Sequence, residues 1–253
     1  MDQGNTAFVL ISAALVLLMT PGLAFFYGGM VKAKSVVSMM MLSFGSLGLI
    51  AVLWVIYGYA ISFSNGGSAT FFGIDGWFGI DTNFIGLSQQ VHEALTSTEM
   101  GAYPSLAFVS SQATFAIITV ALISGAIADR AKFGAWMVFA ALWATIVYFP
   151  VANWVFNFTV QDGKVVDGGW IVYNLGVIDF AGGTAVHINA GAAGLALALV
   201  LGKRFGFSRG INQPHNVPLT LLGVALLWFG WFGFNAGSEV RADGIASLAF
   251  INT

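Results

Sequence analysis

Six long apolar stretches constrain this chain more than any other feature of its sequence. A bilayer core about 30 Å thick needs about 20 consecutive apolar residues in a helix, and each stretch meets that length. The predicted spans lie near residues 7–31, 37–63, 104–127, 133–155, 180–202 and 216–237. The chain is 58% hydrophobic and only 8% charged, whereas a soluble domain has about 25% charged residues. We therefore predict an all-α, multi-pass membrane protein.

A seventh apolar segment begins near Gly244 and reaches the last residue, Thr253. A spanning helix that stopped midway would leave backbone carbonyls without partners in lipid. We therefore expect these 253 residues to be a single transmembrane domain, cut from a longer protein. The first stretch has no basic region before it and no small-residue cleavage site, which predicts a spanning helix and not a removed signal peptide.

The basic residues predict the orientation of the spans. Seven of the nine fall in alternate loops, namely Lys32, Lys34, Arg130, Lys132, Lys203, Arg204 and Arg209. By the positive-inside rule these loops are cytoplasmic, so we expect the N-terminus to lie outside the cell (plasma) membrane. The long loop 64–103 is then external and acidic. Two interpretations of it stay open, because it either draws cations towards a pore mouth or is a solvated loop without that role.

The remaining composition narrows the classes of function. A net charge of −2 without runs of like charge does not indicate a nucleic-acid partner. The chain has no cysteine, which excludes disulfide and thiolate chemistry within it. Neither HExxH nor GxSxG occurs, so a membrane enzyme is the weakest class. We predict no catalytic residue, no cofactor and no metal site.

The segment DFAGGTAVHINAG, residues 179–191, places two ionisable groups at the start of the fifth span. At 1.5 Å per residue, His187 lies about 12 Å further into the membrane than Asp179. We interpret Asp179 as a helix N-cap for the N–H groups near Ala181 and Gly182, with direct substrate contact as the alternative. An ionisable residue at membrane depth indicates function. The alternative for His187 is a structural hydrogen bond to a Ser, a Thr or a carbonyl of the next helix.

Small residues and a proline predict how two of the spans pack. On one face of the fifth span lie Gly183, His187, Gly191, Gly194 and Ala198. Such a face predicts that neighbouring helices approach it closely. Pro21 and Gly22 are expected to interrupt the first span, at a point where neighbours satisfy the freed backbone groups. Neither pattern is specific to one function.

A polar group and two aromatic rings fall at the outer ends of other spans. Ser238 and Phe234 are four residues apart and share a helix face, with the serine further out. Phe115 lies about 21 Å from the inner end of the third span. These positions predict an outer polar and aromatic site, a ring constriction and then the imidazole of His187. For each ring alone, ordinary packing is the alternative.

This route is suited to a small cation that can lose a proton. One oxygen acceptor with aromatic faces attracts such a cation by about 0.5–2 kcal/mol through cation–π contacts. A metal ion would need rings of carboxylates or carbonyls, and the spans contain no acidic ring. A permanent cation loses too much hydration in an apolar passage, whereas a neutral molecule crosses beside an imidazole that accepts hydrogen bonds or relays the proton.

The same segments resemble the ammonium transporter family (Amt/Mep/Rh). Besides DFAGGTAVHINAG, the similarity covers PGLAFFYGG, ITVALISGAIADR, GKRFGFSRGINQPHNVPL and GWFGFNAGS, in order along nearly the whole chain. The resemblance implies a homotrimer in which each subunit has its own pore. It also implies about eleven helices arranged as two inverted five-helix repeats plus a final helix. This chain would hold the first repeat, the sixth helix and the start of the seventh.

The resemblance also implies roles for individual residues. Ser238 would be the outer acceptor, Phe115 and Phe234 the stacked gate rings, His187 the first of two pore histidines, and Asp179 a structural support of the outer site. Phe156 takes the place of a tryptophan that lines the outer site in many relatives. The substrate-binding set is therefore Ser238, Phe115, Phe156 and Phe234.

Three departures from the family pattern accompany these roles. Phe156 offers a weaker cation–π surface than tryptophan, and Trp154, two residues earlier, is expected to point elsewhere. Ser111 stands where some relatives have a second phenylalanine. The second pore histidine is missing, because His92 lies in the external loop and His215 at the cytoplasmic end; it would belong to the second repeat.

The function expected from these observations is ammonium transport. NH₄⁺ would be captured outside, deprotonated and conducted as NH₃, with or without a proton relay along the histidines. Besides ammonium or ammonia and the lipid bilayer, the resemblance implies a PII-type regulatory protein as a partner on the cytoplasmic face. The alternative is an ammonium sensor whose pore domain regulates a cytoplasmic signalling module.

Overall fold

The computed structural model describes residues 2–64, 69–71, 74–96, 103–204, 207 and 213–253. In chain order its helices are α1 (Gln3–Met30), α2 (Ala33–Ser62), α3 (Ser88–Thr96), α4 (Ser105–Ile127), α5 (Phe133–Phe156), α6 (Gly183–Leu201), α7 (Val217–Glu239) and α8 (Gly244–Asn252). Within this described part, all except α3 and α8 are long and apolar enough to cross a membrane. The all-α, multi-pass fold is thereby confirmed, and the six long helices begin and end within four residues of the predicted spans.

Short elements lie in the two long connections. Between α2 and α4, strands β1 (Ala69–Phe71) and β2 (Ile74–Phe78) form an antiparallel pair. A 3-10 helix at Thr82–Leu87 then leads into α3. Between α5 and α6, strands β3 (Phe158–Gln161) and β4 (Lys164–Gly168) form a second antiparallel pair, followed by a π-helical turn at Trp170–Asn174. Both hairpins therefore lie on the side of the bundle from which α1 starts.

Three of the long helices contain a π-helical turn. Two of these turns lie inside α2 and α5, at Trp54–Gly58 and Ala144–Tyr148, and the third opens α6 at Gly183–Ile188. Tyr57 and Thr145 join the first two turns through a hydroxyl–hydroxyl hydrogen bond of 2.8 Å. Such turns are rare and often occur at functional sites. The third one carries His187.

The buried apolar side chains form two clusters. The larger cluster joins α2, α4 and α5 and contains the buried rings of Trp54, Trp136, Tyr148 and Phe149. The smaller cluster joins α1, α4, α6 and α7 and consists of Val16, Met19, Leu23, Phe115, Ile118, Ala121, Val186 and Phe234. Two of the predicted site residues therefore sit in the smaller cluster, where four helices fix their positions.

Glycines allow a close approach of α1 and α7, which we call the α1–α7 seam. A Cβ atom on Gly223 would lie 2.7 Å from the carbonyl oxygen of Gly22, and one on Gly233 would lie 2.7 Å from that of Ser12. Real Cβ atoms do not tolerate such distances, so each position requires glycine. α1 also runs unbroken through Pro21, and the expected interruption there was wrong. Gly22 instead packs against α7, with its Cβ position 3.0 Å from Leu226 Cβ.

Among the described residues, the glycines of the fifth span are packed less tightly than those of the α1–α7 seam. A Cβ atom on Gly191 would meet nothing within 4 Å, and one on Gly194 would make an ordinary 3.4 Å contact with Ala126. Among the described residues, α6 is therefore open at Gly191 and contacts α4 at Gly194. Periodicity in a sequence shows which residues share a face, but it does not show which neighbour covers that face.

Gly223 is tightly packed whereas Gly191 is open, so substitution by alanine should affect the two positions differently. Gly223→Ala should destabilise the protein by about 1–3 kcal/mol, the usual cost of overpacking a close contact. Gly191→Ala is the matched control and should be neutral or slightly stabilising, because it adds a better helix former in open space. Thermal unfolding of the purified protein in detergent measures both. Equal unfolding midpoints for the two variants would contradict the importance of the α1–α7 seam.

Candidate functional site

Two phenylalanine rings from different helices are stacked at the centre of the site. Phe115 of α4 and Phe234 of α7 have ring centroids 4.3 Å apart and planes inclined by 22°. Both side chains are buried, with 4% and 1% of their surface exposed. The two ring faces are therefore in direct contact. The structure thus brings together the two rings that the sequence analysis paired.

Ser238 lies one helical turn beyond Phe234. Its hydroxyl group donates a hydrogen bond of 2.8 Å to the carbonyl oxygen of Phe234. Because the hydroxyl proton is used within the helix, the oxygen directs its remaining lone pairs away from the backbone. The side chain is only half-buried. Its position therefore suits an acceptor for an N–H donor that arrives from the outer end of α7.

Phe156 and Trp154, both on α5, face different neighbours. The ring of Phe156 meets Phe115 edge to face, with centroids 6.3 Å apart and planes at 86°. Trp154 packs edge to face against Trp170 at 6.0 Å. Phe156 therefore adds a third ring to the stacked pair, whereas Trp154 contacts the segment that precedes α6. Ser111 is buried one turn before Phe115 and adds no ring there.

The imidazole of His187 lies flat against an indole ring. His187 and Trp231 have centroids 5.6 Å apart and planes within 10° of each other, and Phe234 is also 5.6 Å from the imidazole. Among the described residues, the structure records no hydrogen bond between the imidazole and a Ser, a Thr or a carbonyl. Trp231 was not predicted as a site residue from the sequence. Trp231 lies three residues before Phe234, so both side chains are on one face of α7. This spacing could have indicated that Trp231 belongs to the site.

Asp179 holds the first turn of α6 through four backbone hydrogen bonds. Its Oδ1 accepts from the N–H groups of Gly182 and Gly183 at 2.6 and 2.7 Å. Its Oδ2 accepts from Thr184 and Ala185 at 2.7 and 3.0 Å. The donors begin one residue later than predicted, because Gly182 adopts a left-handed conformation, with φ of +85°, that turns these N–H groups towards the carboxylate. Both carboxylate oxygens of Asp179 thus accept hydrogen bonds from the backbone of the first turn of α6.

The other two histidines lie away from His187. His92 is exposed on α3. Nδ1 of His215 lies 2.9 Å from the carbonyl oxygen of Val31, just before α7 begins. Among the described residues, no group of three or more His, Asp and Glu side chains is arranged to hold a metal ion.

A cavity of about 380 Å³ lies beside His187 and Phe234, on the open side of the site. It is lined by the ends of α6 and α7, including Asp179, Thr184, His187, Trp231, Phe234 and Asn235. The cavity reaches the imidazole and one face of the Phe234 ring, while Phe115 closes the opposite face. This arrangement admits a molecule of a few atoms beside the imidazole.

The fold and the site together define a multi-pass helical membrane protein in which a stacked ring pair lies beside an imidazole between the helices. Residues 7–253 match the Ammonium Transporter Family, and the chain belongs to that family. An ammonium transporter of Mycobacterium bovis is 55% identical to it over 259 residues, which cover 100% of this chain and 54% of that protein. The chain thus spans about half the length of the curated relatives it matches.

Solved structures agree with this assignment. The crystal structure of Saccharomyces cerevisiae Mep2 superposes with a TM-score of 0.80 at 34% identity, over 98% of this chain and 52% of Mep2. A structure described as "Sensor Amt Protein" superposes with a TM-score of 0.82 at 29% identity, over 98% of this chain and 58% of that one. The predicted family and fold are confirmed, and the family is one of transporters and not of enzymes.

Proposed function

We propose that this chain forms the outer recruitment site and the first part of the conducting path of an ammonium transporter. The observation that carries the proposal is the stacked pair of Phe115 and Phe234, at 4.3 Å, placed between an outer hydroxyl and a deeper imidazole. Membership in the Ammonium Transporter Family and relatives named ammonium transporters support ammonium as the substrate.

The geometry suggests how each residue contributes. Ser238 accepts an N–H hydrogen bond from NH₄⁺, and the nearby rings attract the cation through their π faces. The stacked rings exclude water. A charged ion that entered between them would lose its hydration shell without gaining other polar contacts in exchange. Transfer of one proton from NH₄⁺ to water on the outer side lets neutral NH₃ pass the rings when one of them rotates. The imidazole of His187 then accepts a hydrogen bond from NH₃ or relays the proton.

Reconstitution of the full-length protein tests the proposal. Liposomes that contain it should show an ammonium-dependent current or an internal pH change when an ammonium gradient is applied. Empty liposomes and liposomes with a potassium gradient are the controls. Absence of any ammonium-dependent signal, under inward and outward gradients, would contradict transport.

Phe156 offers a prediction of increased affinity. Phe156→Trp should lower the ammonium concentration for half-maximal transport by about fivefold at most, because the indole face binds a cation more strongly than the benzene face. Phe156→Leu should raise it, since the leucine side chain has no π face. Transport measured against ammonium concentration distinguishes the three proteins. The same concentration dependence in all three would show that this ring does not take part in recruitment.

The proposal also includes orientation and assembly. The distribution of Lys and Arg supports a cell membrane protein with an outside N-terminus. We propose a homotrimer with a PII-type regulator at the cytoplasmic ends, following the family resemblance. Accessibility of a cysteine introduced at Gln3, tested with an impermeant thiol reagent on intact cells, checks the orientation. Labelling only after the cells are opened would show that the N-terminus lies inside the cell, which is the opposite orientation.

A second candidate function is ammonium sensing. The similarity to the structure described as "Sensor Amt Protein" covers 98% of this chain and supports it. In that case ammonium would alter a downstream signalling domain in the full-length protein, and liposomes would show little flux. A signalling response to ammonium that persists when conduction is blocked would favour the sensor, whereas flux without such a response would favour the transporter.

A further inference from the structure

Tyr148 carries a buried hydroxyl group that has no hydrogen-bond partner among the described residues. It ends the π-helical turn of α5, and its side chain is completely buried in the larger cluster between α2, α4 and α5. Most buried polar groups in proteins have a partner, so an exception requires an explanation. The hydroxyl of Tyr148 therefore needs an acceptor that this arrangement of the helices does not provide.

Thr119 of α4 is the side chain best placed to become that acceptor. Its hydroxyl lies close enough to the phenol of Tyr148 to interact with it, but the two groups do not reach the geometry of a hydrogen bond. Thr119 is completely buried as well, and its own proton is used in a hydrogen bond of 2.6 Å to the carbonyl oxygen of Phe115. The threonine oxygen therefore keeps lone pairs that can accept from a tyrosine.

The same residue types form a complete hydrogen-bonded chain elsewhere in the bundle. Tyr57, in the π-helical turn of α2, and Thr145, in that of α5, are joined by a hydrogen bond of 2.8 Å. Thr145 donates its proton to the carbonyl oxygen of Ala141, also at 2.8 Å, so Tyr57 is the donor to Thr145. A tyrosine, a threonine and the carbonyl four residues before the threonine are thus linked in order. The arrangement at Tyr148 has the same chemistry with its first link unformed.

We propose that Tyr148 is a positioning residue for the stacked ring pair. Its hydroxyl donates to Thr119 Oγ1 when Phe115 leaves the stack. This inference rests on the proposed role of the ring pair in conduction. Phe234 lies on α7, whereas α5 approaches Phe115 with the edge-to-face ring of Phe156, at 6.3 Å. Movement of Phe115 out of the stack towards α5 also carries Thr119, which is bonded to its carbonyl oxygen, towards Tyr148.

This hydrogen bond favours separation of the rings. While the rings are stacked, the phenol proton has no acceptor, and when they are apart it has one. The tyrosine hydroxyl therefore lowers the free energy of the separated arrangement relative to the stacked one. A residue that only supported the fold would stabilise both arrangements alike. Tyr148 acts on Phe115 through Thr119 and needs no contact with the substrate.

Tyr148→Phe in the full-length protein tests the proposal, because it removes only the hydroxyl group. The maximal rate of the ammonium-dependent pH change in liposomes should fall by about two- to tenfold, the effect of one hydrogen bond. The ammonium concentration for half-maximal transport should not change. The unfolding midpoint in detergent should stay the same or rise, since the variant lacks the unsatisfied buried hydroxyl. Thr119→Val should also slow transport, and Tyr148→Phe should add no further loss to it.

Tyr57→Phe is the matched control. It removes a phenol that is already bonded to Thr145 in this structure, so it should lower the unfolding midpoint and leave the maximal rate unchanged. Thr119→Ser keeps the hydroxyl group and should conduct like the wild type. A Tyr148→Phe protein with the wild-type maximal rate would overturn the proposal. So would one whose rate falls only together with its unfolding midpoint.

A fluorine label separates this proposal from the proposed function. With para-fluorophenylalanine in place of Phe115, fluorine NMR of the full-length protein should show a minor ring arrangement. Its population should fall by about two- to tenfold in Tyr148→Phe. That result would support the positioning role even if the wild type showed no ammonium flux, which would contradict transport alone. A spectrum without a minor arrangement, or with one that Tyr148→Phe leaves unchanged, would overturn the positioning role in a protein that conducts or in one that does not.

Discussion

His187→Ala in the full-length protein should reduce ammonium-dependent conduction by about tenfold or more, which corresponds to about 1.4 kcal/mol in the barrier. The imidazole lies 5.6 Å from the Phe234 ring and offers a polar partner directly after the ring pair. Without it, a molecule that has left water meets mainly apolar walls, and an unsatisfied polar group costs about 2–7 kcal/mol in such surroundings. Stopped-flow measurement of pH changes in liposomes reports the effect.

Two further variants separate a role in conduction from a general loss of structure. His92→Ala removes a histidine from exposed α3 and should conduct like the wild type. Trp231→Ala removes the ring on which the imidazole is stacked, within 10° of parallel, and should cause a smaller loss that Trp231→Phe restores. A His187→Ala protein with wild-type conduction would remove the imidazole from the proposed path.

Asp179→Ala should lower both the stability and the transport activity of the protein. The carboxylate accepts four backbone N–H hydrogen bonds between 2.6 and 3.0 Å. Loss of hydrogen bonds to a charged acceptor, with the donors left unsatisfied, costs about 3 kcal/mol or more in total. Asp179→Asn should have an intermediate effect, because its amide keeps one acceptor oxygen but directs an NH₂ group at N–H donors. Thermal unfolding in detergent and liposome transport are measured on the same preparations.

A matched control is available in the outer hairpin. Asp167 accepts one backbone hydrogen bond, from Gly168 at 2.9 Å, and is exposed; Asp167→Ala should leave the unfolding midpoint nearly unchanged. If Asp179→Ala abolished transport while keeping the wild-type midpoint, the carboxylate would act on the substrate and not on the helix. Restoration of both properties by Asp179→Glu is not expected, since the longer side chain displaces the two oxygens from the first turn of α6.

The sequence predicted the spans and several site residues because these depend on local properties. The length of an apolar run follows from bilayer thickness, and helical spacing alone places Ser238 above Phe234. The N-cap role of Asp179 was predicted from its position before a helix. Trp231 was missed because one tryptophan among eight carries no signal until its distance from His187 is known.

Packing between distant segments could not be predicted in the same way. Gly191 and Gly223 both lie in glycine-containing apolar helices, yet only Gly223 lies at a close helix contact. Arg130 is another case. The sequence analysis used it for orientation only, whereas its guanidinium donates to the carbonyl oxygens of Ala126 at 2.6 Å and Gly202 at 2.7 Å. It therefore ties together the inner ends of α4 and α6, which are separated by more than seventy residues in the chain.

The sequence by itself determined that this chain crosses a membrane in helices, how the spans are spaced, and that DFAGGTAVHINAG places a carboxylate before a helix and an imidazole within it. Only the tertiary structure decided that Trp231 supports His187 and that α1 and α7 form the close seam, and it gave the distance and tilt of the Phe115–Phe234 pair that the family resemblance implied. The physical reason is that backbone hydrogen bonding and burial in lipid act on each segment separately. Ring stacking and glycine contacts depend on which faces of separate helices meet, and that is settled by the packing of all of them together.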